Sequence, residues 1–206
     1  MLRLMVQACM KVVPQSVWFT ERVRNVWRGY QSRNLRGERL AEEHLSGTPL
    51  VPMRVSFPAT RVQVRGWPGW LMVSEATERA ECTLYQRLID LAARGRFVDM
   101  EHWLDRFFEL RRSGWSRGLF STDAHLKNFG VIGNRIVLLD SGGLTDHWPD
   151  VETHLEVEES VQKPHQRLGL GDALASHPEI AQRFDERWKS TVNRGVVQQH
   201  WPATGT

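Results

Sequence analysis

The sequence predicts an α+β chain in which a strand-rich first part precedes a mostly helical second part. Three observations predict this class. Short or alternating apolar runs separated by Pro and Gly fill residues 50–75, helical periodicity dominates from about Thr77, and one hairpin pattern interrupts the helices at 129–140. The change of pattern places the boundary between a first region, 1–76, and a second region, 77–206.

The composition is that of one ordinary domain or of two small lobes that share a core. The chain has 206 residues, of which 41% are hydrophobic and 25% charged, and a formal net charge of +3. Cys9 and Cys82 show neither CxxC nor Cys/His spacing, so neither a disulfide framework nor a zinc site is expected. No apolar run approaches the roughly 18 to 20 residues of a membrane span. These features predict a cytoplasmic protein.

The first predicted element is a strand over residues 5–13. It is an apolar run that contains Lys11 and is closed by Pro14. Lysine is scarce, because only four of the 27 basic residues are lysines, so the position of each is informative. The basic residues are dense only near 22–39, which allows a nucleic-acid-binding module as an alternative that the mild net charge does not favour.

A helical region follows the strand, and its second phase places a glutamate among apolar residues. The predicted stripe of this phase consists of Leu35, Glu38, Ala41, Glu42 and Leu45. Glu38 and Lys11 would then each need a buried partner, and each can be the partner of the other. Glu42 lies one turn further on and can take the place of Glu38. Gly47 and Pro49 stand in the order typical of a helix end.

Antiparallel strands and then helices are predicted next. The segments VPMRVSF, RVQVRGW and WLMVSE read as strands, with turns at Pro58, Gly66, Pro68 and Gly69. Two amphipathic helices follow, the first ending at Gly95, and a hairpin with a Gly-Asn turn covers 129–140. Beyond it, the run EVEES (156–160) predicts a solvated helix face, and the end of the chain predicts a frayed tail.

The stretch GLFSTDAHLKNFGVIGNRIVLLDSGG (118–143) concentrates residues that carry chemistry. Asp123 lies on a loop, Asn128 follows five residues later, and Asp140 ends the hairpin. Hard oxygen ligands of this kind suit Mg²⁺, and a loop carboxylate can orient an attacking hydroxyl. Taken alone, Asp123 is better explained by an Asx turn than by catalysis, and it is the spacing of Asn128 and Asp140 that favours a site. His125 is interpreted as a structural hydrogen-bonding residue, and Lys127 as either a phosphate contact or a solvated lysine.

This stretch resembles the catalytic and metal-binding loops of the protein-kinase-like superfamily. Gly118 to Asp123 stand where the family has its apolar residues followed by His-Arg-Asp, Asn128 has the family offset, and LLDSG resembles apolar-Asp-x-Gly. TDAHLKNFG locally resembles the HipA-type kinases. The layout of RNLRGERLAEEHLSGTPLVP resembles small bacterial proteins of the lipopolysaccharide Kdo kinase and PhoP regulatory network (YrbL) groups. The resemblance covers residues 5–145 and is strongest at 118–142.

The resemblance implies a bilobal kinase-like fold with a reduced N-lobe and a short C-lobe. It implies ATP and Mg²⁺ as cofactors, and transfer of the γ-phosphoryl group to a hydroxyl acceptor that is a protein, a sugar or a lipid-linked sugar. The implied roles are acceptor orientation by Asp123, phosphate neutralisation by Lys11 with Glu38, metal binding by Asn128 and Asp140, and phosphate contact by Lys127. Glu75 and Ala76, at the expected hinge, would bind adenine through their backbone.

The sequence departs from the family pattern in three ways, and the first two motivate an alternative function. Ser121 and Thr122 replace the His and Arg of the catalytic loop, which argues against regulation through a phosphorylated activation loop. Only ten residues precede Lys11, too few for the usual Gly-rich loop, and 66 residues follow Asp140, so a reduced substrate platform is expected. The alternative is a pseudokinase-type regulator that binds a partner without catalysis.

Overall fold

The computed structural model describes residues 35–63, 65 and 69–202. The predicted strand 5–13 with Lys11, and the first helical phase, lie outside the described residues. In the described part the strands are β1 Arg54–Gln63, β2 Trp70–Thr77, β3 Cys82–Thr83, β4 Phe120–Ser121, β5 Phe129–Ile132, β6 Arg135–Leu138 and β7 Leu144–Thr145. The helices are α1 (35–45), α2 Leu84–Ala93, α3 Phe97–Trp115, α4 Trp148–Ser160, α5 Pro164–Arg167, α6 Pro178–Thr191 and α7 Arg194–His200.

These elements form small antiparallel sheets among helices, so the predicted α+β class is confirmed. β1 pairs with β2, β5 pairs with both β3 and β6, and β4 pairs with β7. The predicted hairpin corresponds to β5 and β6, with Gly133 at a positive φ of 58° in the turn. No helix of the described part combines the length and apolar character needed to cross a membrane.

The hairpin of β1 and β2 corrects one predicted turn. Pro58 was expected to separate two strands, but β1 runs through it from Arg54 to Gln63. The pairing register with β2 shifts between Ser56 and Thr60, which marks a bulge at this position. A bulge leaves a residue without ladder pairing, and proline, which has no N–H to donate, is tolerated there. The proline therefore distorts the strand without ending it.

Helix α1 is present, but its predicted apolar stripe is only partly correct. Leu45 is buried and Ala41 packs against the core, as predicted. Leu35 is 66% exposed, and Glu38 and Glu42 are also exposed, while Leu40, outside the predicted stripe, is buried. Packing against the rest of the molecule thus rotates the helix relative to the predicted phase. The expected burial of Glu38 is wrong for the same reason. The helix ends at residue 45, before Gly47 at a φ of 72°, as the sequence predicts.

The core lies between α3, α6 and the sheet of β5. Leu84 and Leu88 of α2, and Met100 and Leu104 of α3, are buried, so both helices are amphipathic, as predicted. An aromatic cluster fills the centre of this core. The Phe107 ring meets the Phe129 ring edge-on at a centroid distance of 4.9 Å and also contacts Trp188. Burial of large aromatic side chains gives this region most of its apolar stabilisation.

Two predictions for the end of the chain are wrong. The expected frayed tail contains α7, which begins with an Asn193 side chain that accepts a hydrogen bond from the Val196 N–H and which buries Val197. The run EVEES (156–160) was expected to form a solvated helix face, and this is wrong at one residue, because Glu158 is buried at 7% exposure on the inner face of α4. Its ion pair with Arg167 and its contact with His154, described below, allow a carboxylate to lie there.

Candidate functional site

The loop that carries Asp123 is tied to the segment after Asp140. Strands β4 and β7 pair directly. The Thr122 N–H and the Thr122 Oγ1 both donate to the Gly143 carbonyl oxygen, at 2.8 Å and 2.9 Å. These two segments of the chain are so close that a Cβ on Gly143 would lie 2.9 Å from the Asp123 backbone nitrogen. A residue without a side chain is therefore needed at position 143 to bring the segments into register.

Asn128 connects the other two predicted residues. Its Nδ2 donates to the Asp123 carbonyl at 2.9 Å, and its own carbonyl accepts from the Leu139 N–H at 2.8 Å and from the Asp140 N–H at 3.3 Å. The Asp140 carboxylate in turn accepts a hydrogen bond from the Gly142 N–H at 2.9 Å. The structure thus brings Asp123, Asn128 and Asp140 together through backbone and side-chain hydrogen bonds.

The two carboxylates are accessible to a ligand. Asp123 and Asp140 are both exposed, and Asn128 is half-buried. The Asp123 Oδ1 lies 3.4 Å from the His125 Nε2. The Lys127 Nζ lies 4.9 Å from the centre of the Tyr85 ring, a cation–π contact with α2. Lys127 is therefore held beside the loop, next to Asn128.

The remaining predicted site residues lie in the first region of the chain, before the Asp123 loop. Glu38 is on the exposed side of α1, where it lines a cavity of about 580 Å³ together with Glu42 and Arg135. Its expected partner, Lys11, lies outside the described residues. Glu75 and Ala76 lie inside β2, which ends at Thr77, so the connection between the two parts comes after them. Glu75 is exposed and lies 3.7 Å from Arg54.

Two contacts near the site were not predicted from the sequence. Gly37 of α1 packs directly on the carbonyl of Ser141, immediately after Asp140. Glu78, in the connection after β2, forms an ion pair with Arg135 of β6, and the hydrogen bond from Arg135 lowers the pKa of Glu78. An isolated glycine inside a helical pattern is the signal for the first contact, because it often marks a close approach. The Glu78 pair has no local sequence signal.

A charge cluster with the buried Glu158 and Arg111 at its centre lies beneath the loop. Burial alone would raise the pKa of Glu158, but hydrogen bonding from His154 and the charges of Arg167 and Arg111 outweigh it, so this pKa is lowered. The Arg167 guanidinium lies 3.1 Å from the Glu158 carboxylate. Burial lowers the pKa of Arg111 to about 10, which leaves it charged at neutral pH. A cavity of about 20 Å³ lined by Asp123, Glu158, Arg167 and Trp188 separates this cluster from the loop.

A larger cavity, of about 930 Å³, lies between α5 and α6 and contains none of the predicted site residues. Its wall includes His165, whose Nδ1 and backbone N–H contact the two carboxylate oxygens of Asp185 at 2.7 and 2.8 Å. This pairing fixes the start of α5 on α6. Because the cavity is separate from Asp123 and Asp140, its size alone does not make it the reaction site.

The loop residues carry oxygen donors but belong to no larger metal-binding group. Among the described residues, no group of three or more His, Cys, Asp and Glu side chains is placed to hold a metal ion. Asn128 and Asp140 carry oxygen atoms of the kind that bind Mg²⁺ when water and phosphate oxygens supply its other ligands.

Comparison of the chain with protein-family models, with curated proteins and with solved structures gives no match.

Proposed function

We propose that this protein is a kinase-like phosphotransferase that binds Mg-ATP and moves the γ-phosphoryl group to a hydroxyl acceptor. The observation that carries the proposal is the hydrogen-bonded unit of Asp123, Asn128 and Asp140. Asp123 orients the acceptor hydroxyl, and Asn128 and Asp140 hold Mg²⁺ against the phosphates. Preorganised charges of this kind supply most of the rate enhancement in phosphoryl transfer.

The order of elements supports a bilobal kinase-like fold for this proposal. Helix α1, the β1–β2 hairpin, a connection, helices α2 and α3, the Asp123 loop, the β5–β6 hairpin and Asp140 follow one another as in that superfamily. We place the nucleotide between the lobes, with the adenine at the connection that follows Glu75 and Ala76. Lys11, paired with Glu38, and Lys127 neutralise phosphate charge in this arrangement.

Thermal unfolding with ATP and excess Mg²⁺, with ATP and EDTA, and without ligand tests the proposal. A ligand at about 100 times its dissociation constant stabilises by about 2.7 kcal/mol, enough to raise the unfolding midpoint by several degrees. We expect a shift that requires Mg²⁺, and we expect Asp140→Asn to abolish it. The exposed Asp172, outside the site, supplies the matched control Asp172→Asn, which should keep the shift.

The chemical step is measured as phosphate released from ATP or transferred to an acceptor. Loss of Asp123 or of a metal ligand should lower the rate by orders of magnitude. Full activity in Asp140→Asn would contradict the assignment of the metal site.

The second candidate function is a non-catalytic regulator that keeps the scaffold and binds a partner. One observation favours it: Glu38 is exposed on α1, not on the buried face where an ion pair with Lys11 would be held in place. This candidate predicts either no ligand-dependent shift, or a nucleotide shift without any phosphate release. The same two measurements therefore distinguish the regulator from the enzyme.

A further inference from the structure

His165 and Asp185 form a largely buried pair in the wall of the cavity of about 930 Å³ between α5 and α6. The His165 Nδ1 lies 2.7 Å from one carboxylate oxygen of Asp185, and the His165 backbone N–H donates to the other oxygen at 2.8 Å. The two side chains are only 11% and 13% exposed. A carboxylate in this position accepts a hydrogen bond from the Nδ1–H of the neutral imidazole and fixes the orientation of the ring.

The second ring nitrogen of His165 is left as a hydrogen-bond acceptor. When the Nδ1–H donates to Asp185, the Nε2 of the neutral ring carries a lone pair and no proton. Among the described residues the Nε2 has no hydrogen-bond partner, yet it is not one of the buried polar atoms that lack a partner. The Nε2 is therefore accessible, and the space beside it is the cavity that His165 lines. An oriented acceptor of this kind suits a ligand that donates a hydrogen bond.

Backbone hydrogen bonds and buried side chains hold the walls of this cavity in place. The segment after α5 folds back onto the helix, because the Leu170 N–H donates to the His165 carbonyl at 2.8 Å and the Leu174 N–H donates to the Leu170 carbonyl at 3.0 Å. Leu170, Leu174 and Ala181 of α6 are buried. The cavity is thus formed without a ligand, and its volume lies in the range of small-molecule sites.

The lining of the cavity is polar, and its charges nearly cancel. The wall contains three glutamines, Gln162, Gln166 and Gln182, and each amide can both donate and accept. The charged residues of the wall other than histidine are two lysines and three carboxylates, namely Lys163, Lys189, Asp172, Asp185 and Glu186. This balance favours neither a strongly anionic nor a strongly cationic ligand.

The same lining does not favour a flat aromatic ligand. Among the described residues that line the cavity, His165 carries the one aromatic ring, and this ring is held by its hydrogen bond to Asp185. A nucleobase would therefore lack the aromatic side chains on which bases stack in many protein sites. Hydroxyl groups match the wall better, because each hydroxyl can donate to a histidine nitrogen or a carboxylate and accept from an amide or a lysine at once.

We propose that the cavity between α5 and α6 binds a neutral polyhydroxylated ligand, a mono- or disaccharide unit, through His165. One sugar hydroxyl donates to the His165 Nε2, and neighbouring hydroxyls exchange hydrogen bonds with the glutamine amides and the free carboxylates of the wall. The site is separate from the Asp123 loop and does not depend on the proposed phosphotransferase function.

Nitrogen NMR of the His165 ring in the full chain, recorded without nucleotide, gives the direct test. The probes are glucose, galactose, mannose and N-acetylglucosamine, each as the free sugar and as the methyl glycoside. At least one should shift the Nε2 resonance saturably, because this nitrogen gains a hydrogen bond. Ethylene glycol, which carries hydroxyls without a sugar ring, should cause no saturable shift. A preference for the methyl glycoside identifies the natural ligand as part of a larger glycan, and a preference for the free sugar identifies a free one.

Two pairs of variants connect sugar binding to the cavity, with affinity measured by calorimetry. His165→Asn keeps an N–H that can donate to Asp185 but lacks the Nε2 acceptor, so it should weaken sugar binding about tenfold, as expected for the loss of one hydrogen bond. His102→Asn, at an exposed position of α3, is its control and should leave the affinity unchanged. Gln182→Ala should also weaken binding, whereas Gln198→Ala, at an exposed position of α7, should not.

Several outcomes would overturn the proposal. They are the absence of a saturable Nε2 shift with every sugar, an equal response to ethylene glycol, and binding of glucuronic acid or spermidine but of no neutral sugar. Wild-type sugar affinity in His165→Asn would overturn it as well. If His165→Asn does not fold, Gln182→Ala decides in its place, and unchanged affinity in that variant overturns the proposal.

Discussion

At the scale of single residues, Gly37 is the contact between α1 and the segment that carries Asp140. A Cβ at this position would collide with the Ser141 backbone, which cannot move as easily as a flexible side chain. We expect Gly37→Ala to lower the free energy of unfolding by about 1–3 kcal/mol, although alanine is the better helix former. Urea unfolding measures the change.

A second glycine provides the control for this prediction. Gly195 lies in α7, and a Cβ there would have its nearest contact, at 3.5 Å, with the Asn193 Oδ1. Gly195→Ala should therefore stabilise the protein by about 0.5 kcal/mol through helix propensity and reduced unfolded-state entropy. Equal effects of the two substitutions would show that the Gly37 contact does not matter.

The same scale shows why some site residues were predictable and others were not. Asn128 and Asp140 follow Asp123 at spacings fixed by one turn and one hairpin, so a local pattern was enough to propose them together. Glu38 was misplaced because the phase of α1 is set by Leu40 and Leu45, whose burial depends on distant helices. Local spacing cannot report which side of a helix meets the core.

At the scale of elements, α2 begins with a capping box that joins it to β3. The Thr83 Oγ1 accepts from the Gln86 N–H at 3.2 Å, and the Gln86 side chain accepts from the Thr83 N–H at 3.1 Å. We expect Thr83→Ala to cost about 1 kcal/mol in unfolding free energy, because the first turn loses a cap.

The control is an exposed threonine inside a helix. Among the described residues, the Thr153 hydroxyl of α4 has one hydrogen bond, to the Pro149 carbonyl one turn earlier, so Thr153→Ala should change the stability by less than about 0.5 kcal/mol. Chemical unfolding of both variants measures the difference. If Thr83→Ala were as stable as Thr153→Ala, the cap would not contribute.

Elements were easiest to predict where one periodicity persists. The sequence predicted the amphipathic helices α2 and α3 and the β5–β6 hairpin. It did not predict the two-residue strands β3, β4 and β7. Such short strands arise when two loops meet in space, and a pair of residues carries no periodic signal. The pairing of β4 with β7 is nonetheless what aligns the Asp123 loop with the segment after Asp140.

At the scale of the whole molecule, Glu158 joins α4 to α3 and α5 through charge. Glu158→Gln would leave Arg111 without its compensating carboxylate, and we expect a loss of about 3 kcal/mol in unfolding free energy at neutral pH. The exposed Glu156 of the same helix gives the control Glu156→Gln, which should change stability by less than about 0.5 kcal/mol.

The effect of Glu158 also depends on pH, with a definite sign. Its folded-state pKa lies below the ordinary value of 4.5, so its stabilising contribution is complete above that pH and is lost as the pH falls through the folded value. The stability difference between the wild type and Glu158→Gln should therefore shrink on acidification. Urea unfolding from about pH 7 to about pH 3 follows this change. A difference that stays constant over this range would contradict the charged state of Glu158.

The overall class was predictable, but the internal assembly was not. The alternation of strand and helix patterns predicted an α+β chain, because each element carries its own period. The buried position of Glu158 was not predicted, because a run of glutamates is typical of a solvated helix face. Folding brings it near Arg111, 47 residues earlier in the chain, and beside Arg167, nine residues later. Long-range pairs of this kind are decided by tertiary packing.

Two backbone carbonyls at the site, those of Asn128 and Gly143, each accept two hydrogen bonds, and this determines how the site opens. Each joins one loop to the other, so the Thr122, Leu139 and Asp140 amides cannot be released one at a time while the loops stay paired. These amides belong to one cooperative unit for local unfolding. Solvent hydrogen exchange at all three is thus expected to proceed at a common rate, set by the separation of the two loops.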